Sequence, residues 1–380
     1  MTRETIFAAS VEYFLGPIMP FLRDPAVSEV MVNRHDQIYI EKAGRLTKTD
    51  ARFPSEDALL SAVHNVAQWV GRRIDESQPV MDARLPNGSR VHVILPPACR
   101  GGTCLTIRKF KPGGLSLDDL IAYGSVTEAA AEFLRLCVRL HKNMVVSGGT
   151  GTGKTSMLNA ISTAIPEEER VVVIEDTSEL RLTQEHCVYL EVQKPDAHQR
   201  GGLTIRQLFV ASLRMRPDRI VVGEVRGGEA LDMIQAMLSG HTGSLTTVHA
   251  NSTRDSLIRL ETLSLMSDVA LPVYVARAQV AAAIQLVVQL SRFSEDGSRR
   301  VTRITEVLGL GAEQQYLSRD LFVLRMRGRD AQGRLIGQLE PTGERPSFAG
   351  EPVEQGLADQ INHSRAIWNL TPSPPPVQSS

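Results

Sequence analysis

A glycine-rich stretch near the middle of the chain carries the residues with the most specific chemistry. Residues 148–155 fit the pattern G-x-x-x-x-G-K-[ST], in which glycines let backbone N–H groups curl around a phosphate. In such loops the lysine, here Lys154, reaches the outer phosphates, and the hydroxyl of Thr155 binds Mg²⁺. The stretch therefore predicts a nucleotide site with these phosphate-binding residues: Gly148, Gly149, Thr150, Gly151, Thr152, Gly153, Lys154, Thr155 and Ser156.

The flanks of this stretch support the same interpretation. The apolar run 144–146 predicts a buried strand before the loop, and the run 157–161 predicts the first turns of a helix after it. A helix N-terminus adds positive potential where an anion binds. A glycine-rich turn that only resembles the pattern would not require both flanks to have this character.

Two further β-branched runs end in carboxylates. The run 170–174 is followed by Glu175 and Asp176, and the run 219–223 is followed by Glu224. We expect Glu224 to hold Mg²⁺ through water or to orient the attacking water. One of Glu175 and Asp176 should handle water or metal while the other caps the following turn. The predicted metal-binding residues are thus Thr155, Glu175 and Glu224, and either glutamate fits the role of orienting water.

A histidine completes the set of polar strand ends. His249 ends the run 244–249, where it could sense the γ-phosphate of a nucleotide; the alternative is a core histidine whose hydrogen bonds are satisfied. Strands alternate with helices from about residue 115 to 290, which predicts a mainly parallel sheet covered on both faces. Because ligands bind at the carboxyl ends of such strands, we expect the loop, both glutamates and His249 to converge.

Three arginines in the first part of the chain are the remaining candidates. Arg84 and Arg90 flank an Asn-Gly turn that predicts a hairpin, and Arg108 follows another strand-like run. These cations could reach the phosphates if their domain closes over the nucleotide. A basic face exposed to solvent explains them equally well.

Composition and the positions of prolines and glycines predict the domain organisation. We expect an N-terminal α+β domain over residues 1–110, a linker over 111–114 and an α/β domain over 115–343. From residue 344 onward prolines, glycines, serines and glutamines accumulate, which predicts a disordered tail over 344–380. Residues 367–370 form an apolar island in that tail, for which an inert role is favoured over docking to a partner.

The bulk composition argues against several classes of protein. Lys and Arg number 42 against 43 for Asp and Glu, so no global basic field favours nucleic acid as the main partner. None of the four cysteines forms a C-x-x-C pair, which argues against a zinc site and fits a reducing cytosol. The N-terminus shows no signal-peptide pattern, and no window is apolar enough to span a bilayer. These features predict a cytoplasmic protein that meets a membrane only from the water side.

Taken together, the motifs resemble the secretion ATPase superfamily of type II secretion, type IV secretion and type IV pili, and within it the CpaF branch of Tad pili. The similarity covers about residues 25–328. Its signatures are the Walker A loop 148–155, an Asp box 174–179, an atypical Walker B 215–227 and a His box 240–251. Further similar segments are 73–77, 82–90, 107–110 and 286–292.

The resemblance implies a fold and a mode of action. It implies a RecA-like P-loop ATPase domain behind a smaller PAS-like N-terminal domain, assembled as a homohexameric ring. Nucleotide would bind between the two domains, with Arg84, Arg90 and Arg108 approaching its phosphates. Hydrolysis would rotate the domains and drive an inner-membrane platform protein, with the linker at 111–114 as the hinge.

Three other functions are alternatives to a Tad-like motor. A conjugative DNA-transfer ATPase of the same superfamily is the nearest alternative, and neighbouring genes would separate the two. A ring helicase is disfavoured by the near-neutral charge and by the lack of a basic stripe interleaved with aromatic residues. A nucleotide-binding scaffold without turnover is disfavoured by the presence of Lys154, Thr155, Glu175 and Glu224.

Overall fold

The chain folds as two compact units, Met1–Pro112 and Gly113–Ser380. A computed structural model describes residues 10–42, 44–85, 87–110, 114–193 and 201–368. Residues 111–113 of the predicted linker lie outside the described residues.

The first unit is built on an antiparallel sheet of six strands in the order β3-β2-β1-β6-β5-β4. Along each central strand, alternate side chains face the core, as with Val91 and Val93 of β5. The helix Glu56–Trp69 packs its apolar stripe into the same core, and Ser55 caps it by accepting the Ala58 N–H. The strands are β1 Val27–Arg34, β2 Gln37–Lys42, β3 Arg45–Lys48, β4 Val80–Arg84, β5 Arg90–Ile94 and β6 Cys104–Arg108. Shorter helical segments are Gly16–Ile18 and Met19–Arg23.

The second unit is built on a sheet of nine strands in the order β15-β14-β13-β12-β7-β11-β10-β8-β9. The six strands from β12 to β9 in this order are parallel, and β13, β14 and β15 continue the sheet in antiparallel fashion. The nine strands of this sheet are β7 Met144–Gly148, β8 Val171–Glu175, β9 Cys187–Glu191, β10 Arg219–Val222, β11 Leu245–His249, β12 Leu286–Arg292, β13 Arg299–Leu310, β14 Tyr316–Arg329 and β15 Leu335–Pro341.

Helices cover both faces of this second sheet. The β-branched strands are buried on both sides: Met144 and Val146 face one core while Val145 faces the other. One face carries the helices Leu117–Ala122, Glu128–Arg139 and Lys154–Ser162. The other carries Ile205–Ser212, Glu229–Leu238, Thr253–Leu265 and Val273–Ala283. The predicted α/β sheet, mainly parallel and covered on both faces, is thus confirmed.

The C-terminal segment differs from the disordered tail that composition predicts. Residues 344–368 include the short helices Glu351–Glu354 and Ala358–Gln360 and contribute to the core of the second unit. The Trp368 ring stacks on Phe133 with 5.1 Å between centroids and is 1% exposed. The Glu132 carboxylate accepts the backbone N–H groups of residues 362–364, so the turn before Trp368 is held by charge-assisted hydrogen bonds. A few apolar anchors outweigh the average composition here; residues 369–380 lie outside the described part of the chain.

No helix in the part of the chain that the structure describes is both long enough and apolar enough to cross a membrane.

Candidate phosphate-binding site

The glycine-rich loop connects β7 to the N-terminus of the helix Lys154–Ser162. Gly151 has φ 71° and Gly153, the N-cap of the helix, has φ 93°. Only glycine takes this left-handed conformation without strain. A Cβ on Gly148 would collide with Thr152 Oγ1. Gly148, Gly151 and Gly153 are therefore required by the backbone path itself, which is the path of a loop that wraps around an anion.

The carbonyl group of Gly149 is held by side chains of the loop itself. Gly149 O accepts Thr152 Oγ1 at 2.9 Å and Lys154 Nζ at 3.0 Å. In a trans peptide the C=O and the following N–H point in opposite directions, so fixing Gly149 O also fixes the direction of the Thr150 N–H. The loop thus has the features that a nucleotide phosphate requires: glycines in the left-handed conformation, a backbone N–H group of fixed direction, a helix N-terminus and the Lys154 ammonium.

Glu175 ends β8 as a deeply buried carboxyl group, 3% exposed. Its Oε1 accepts the backbone N–H groups of Glu179 at 2.8 Å and Leu180 at 3.0 Å, so it is Glu175 that caps the following turn. Burial raises the pKa of Glu175 to about 7, although these two N–H groups act in the opposite direction. A Cβ at Gly223, beside it on the neighbouring strand, would lie 2.9 Å from Glu175 Cγ. Gly223 is therefore what makes room for this carboxyl group.

Glu224 follows Gly223 and carries a different partner. Its Oε2 accepts Arg226 Nη2 at 2.6 Å, and Arg226 Nη1 lies 3.5 Å from Asp176 Oδ2. Arg226 thus joins the two acidic strand ends that the sequence predicts as site residues. Sequence reasoning placed Arg226 inside the atypical Walker B segment without assigning it a role.

His249 is exposed and is the register partner of Gly148 across β11 and β7. It is therefore not a core histidine, and it lies at the start of the glycine-rich loop as predicted from the strand ends. Asn251 is a neighbour that sequence reasoning did not single out: its Oδ1 lies 3.9 Å from the position of a Cβ on Gly149.

The three candidate arginines lie together in the first unit. Arg84 is the register partner of Arg90, and Arg90 is the register partner of Arg108, so they form a row across β4, β5 and β6. Their strand neighbours Val91 and Ile107 face the core, which directs the row to the opposite face of the sheet. The three arginines therefore form one basic row on that face of the sheet.

A divalent cation at this site would be held by oxygen ligands. Within the described ranges, no group of three or more His, Cys, Asp and Glu side chains converges to hold a metal ion. The Thr155 hydroxyl lies in the first turn after the loop, and Glu175 and Glu224 follow the neighbouring strand ends. These hard oxygen groups fit Mg²⁺ held chiefly by a nucleotide and water, which is its usual environment in proteins.

The chain is similar in sequence to known proteins. A family model described as "Type II/IV secretion system protein" matches residues 13–329. The chain is 36% identical over 295 residues to a putative conjugal transfer protein of Mycobacterium tuberculosis, covering 76% of this chain and 83% of that protein. It is 35% identical over 316 residues to the type IV secretion system protein PtlH of Bordetella pertussis, covering 77% and 93%. It is 34% identical over 329 residues to the type IV secretion system protein VirB11 of Brucella suis, covering 79% and 90%.

Solved structures show the same fold at lower identity. The pilus retraction motor PilT with bound ADP superposes with a TM-score of 0.53 at 17% identity, covering 80% of this chain and 84% of that one. The Legionella pneumophila ATPase DotB superposes with a TM-score of 0.50 at 19% identity, covering 81% and 82%. The second unit therefore has the RecA-like α/β fold of these ATPases, with a separate N-terminal domain before it.

Proposed function

Because the chain belongs to the type II/IV secretion system protein family, we propose that it is a motor ATPase that hydrolyses ATP to drive a secretion or pilus machine. The observation that carries the proposal is the glycine-rich loop, in which Thr152 and Lys154 donate to Gly149 O and whose first residue lies beside His249. Glu224 follows β10 and Glu175 ends β8, the second and third strands from β7 on one side of the sheet. A loop of this kind binds phosphate, and acids at the same edge of the sheet can hold the metal and orient the water that hydrolysis of a phosphoanhydride needs.

Each residue of the site has a role in this proposal. The loop N–H groups and Lys154 bind the phosphates and neutralise their charge, and the Thr155 hydroxyl with the two glutamates holds Mg²⁺ directly or through water. Bound Mg·ATP supplies the scissile phosphoanhydride. Glu224 orients the attacking water and accepts its proton, while His249 detects the terminal phosphate. Arg226 fixes the direction of the Glu224 carboxylate, because it donates to Oε2.

The arginine row is proposed to stabilise the negative charge that develops on the phosphates. Arg108→Ala should therefore lower kcat by about 10- to 100-fold, because removing one donor to a developing charge typically costs that much or more. The melting temperature should stay within about 2 °C of wild type, since Arg108 is an exposed residue at a strand end. Arg45→Ala, an exposed arginine on β3 at the other edge of the same sheet, is the matched control and should keep full activity. Full activity of Arg108→Ala would return the row to a solvent-exposed basic face.

Two machines fit the motor, and both are proposals. Identities of 34–36% over 76–79% of the chain to conjugal transfer and type IV secretion proteins support a type IV secretion system, as the first candidate. Similarity of the segments 73–77, 82–90 and 107–110 to the CpaF branch supports a Tad-like pilus as the second. Neighbouring genes for a relaxase and a coupling protein, or for pilins, would separate them. In either case we propose a homohexamer in the cytoplasm, where ATP is available. The hexamer acts on an inner-membrane platform protein.

Phosphate release by the purified chain tests the enzymatic proposal. We expect hydrolysis of ATP that requires Mg²⁺, stops with a chelator, and accompanies assembly to about six subunits as measured by sedimentation. Single-stranded DNA should leave the rate unchanged, because the chain has 42 basic against 43 acidic residues. Stimulation by DNA would favour the helicase alternative. Lack of Mg²⁺-dependent hydrolysis by the hexamer, even with its platform protein, would refute a motor.

A further inference from the structure

Two arginines reach the glycine-rich loop from the side of β7 opposite the acids. Glu175, Glu224 and His249 follow strands on one side of β7, in the order β7-β11-β10-β8. On the other side the order is β7-β12-β13, and Arg292 at the end of β12 is the register partner of Arg299 at the start of β13. Sequence reasoning assigned no role to either arginine.

Arg299 contacts two glycines of the loop. Its Nε donates to Gly151 O at 2.8 Å, and its Cδ lies 3.7 Å from the position of a Cβ on Gly153. Arg292 Nη1 lies 3.4 Å from the position of a Cβ on Gly151. Gly151 and Gly153 are the two loop residues with positive φ, at 71° and 93°. The arginine pair therefore lies against the part of the loop that is most free to change conformation.

The hydrogen bond to Gly151 O has a directional consequence. Because C=O and the next N–H of a trans peptide point in opposite directions, Arg299 also fixes the direction of the Thr152 N–H. Gly149 O is bonded by side chains of the loop itself, whereas Gly151 O is bonded by a residue from a different strand. The guanidinium is a charged donor, so this bond is stronger than one between neutral groups.

The backbone of Arg299 is held by its strand partner Arg292 and by the segment between the helices Leu117–Ala122 and Glu128–Arg139. Ser125 Oγ donates to Arg299 O at 2.7 Å, which holds its backbone. The next residue, Arg300, points elsewhere: its Nη2 donates to Leu335 O at 2.5 Å and its Nη1 to Gly337 O at 3.2 Å, both in β15. Consecutive arginines thus serve different purposes, since Arg300 joins strands and Arg299 joins a strand to the loop.

We propose that Arg299 is a positioning residue that holds the glycine-rich loop in its phosphate-binding shape, with Arg292 beside it on the same glycine. The proposal rests on the proposed function, since it concerns the same nucleotide site. The hydrogen bond from Arg299 to Gly151 O is called the brace. The proposal predicts that the brace affects nucleotide binding and not the chemical step. ADP and ATP should be affected alike, because the loop shape matters for both.

Calorimetric binding of ADP, with kcat and KM for ATP, tests this brace. Arg299→Met keeps an unbranched apolar stem against Gly153 but removes the donor, so the Kd for ADP and the KM should each rise about tenfold. The kcat should change by no more than about threefold, the pattern expected when ground state and transition state lose the same interaction. Arg299→Lys, which keeps a charged donor, should recover part of the affinity. Arg303→Ala is the matched control, because Arg303 lies on the same strand but pairs with Asp320.

The outcomes separate the brace from the proposed function. Wild-type ADP affinity in Arg299→Met, or in Arg299→Ala, would overturn the brace while leaving the nucleotide site intact. Failure of the wild-type chain to bind ADP would instead overturn the proposed function. A fall in kcat at unchanged KM would also refute the brace, since it would place Arg299 in the chemical step. Should both variants fail to melt cooperatively, Arg299 supports the sheet rather than the loop, and the proposal is wrong.

Discussion

Lys154→Ala should reduce ATP turnover by at least about two to three orders of magnitude, the largest effect expected of a single substitution in this chain. Lys154 is the cation of the glycine-rich motif, and it occupies the first turn of the helix after the loop. Its Nζ also donates to Gly149 O, so the alanine variant loses both the charge for the phosphates and one of the bonds that shape the loop. Phosphate release and calorimetric ATP binding, measured side by side, should both fall.

Lys48→Ala is the control for a lost lysine, because Lys48 is an exposed residue at the end of β3 and should be replaceable without effect on turnover. Lys154→Arg provides a second comparison. It keeps a positive charge but presents a larger planar group, so it should also lose most activity. Wild-type turnover in Lys154→Ala would mean that ATP binds elsewhere, and the assignment of the loop would be withdrawn.

The elements of the site that sequence could predict are those encoded locally. The loop is recognisable because its glycines, Lys154 and Thr155 are consecutive in sequence and have an apolar strand before them and a helix after them. The strand-end positions of Glu175 and Glu224 follow from β-branched runs, whose carboxyl ends lie at one edge of a parallel sheet. Short-range patterns of this kind need no knowledge of the order of the strands.

Long-range contacts were beyond such patterns. The bond from Arg299 to Gly151 joins residues 148 positions apart, and it exists because β12 lies next to β7 in the sheet and β13 lies next to β12. The bond from Ser364 to Glu132 joins residues 232 positions apart, and it depends on a carboxylate that is buried on a helix. Composition of the C-terminal segment does not reveal this, since disorder is predicted from an average whereas docking depends on Ile361, Ile367 and Trp368.

The structure also distinguishes two acids that sequence treats as equivalent. Glu175 is buried, caps its own turn and has a raised pKa, whereas Glu224 is joined to Arg226. A carboxyl group engaged by two backbone N–H groups is held in place, and one oxygen remains for metal or water. Glu224 is therefore the better candidate for orienting the attacking water, and Glu175 for holding the metal and the shape of the turn.

That division predicts different outcomes for the two isosteric amides. Glu224→Gln should bind ATP with nearly wild-type affinity and hydrolyse it about 100- to 1,000-fold more slowly, because the amide cannot accept the proton of the attacking water. Glu175→Gln should fold normally, since an amide oxygen can still accept the Glu179 and Leu180 N–H groups. Its turnover should fall with a marked loss of affinity for Mg²⁺. Titrating Mg²⁺ in the hydrolysis assay separates the two variants; Glu313→Gln, at an exposed residue of the turn between β13 and β14, serves as the control.

The pH profile supplies an independent check on Glu175. Both holding a metal and accepting a proton need the ionised carboxylate, and burial raises the pKa of Glu175 to about 7, so turnover should fall as pH decreases through that value. A bound cation favours the ionised form, so the midpoint should move to lower pH as Mg²⁺ is raised. This acidic limb of the profile of turnover against pH should be absent from Glu175→Gln. A limb that persists in Glu175→Gln but disappears in Glu224→Gln would assign the titrating group to Glu224 and reverse the two roles.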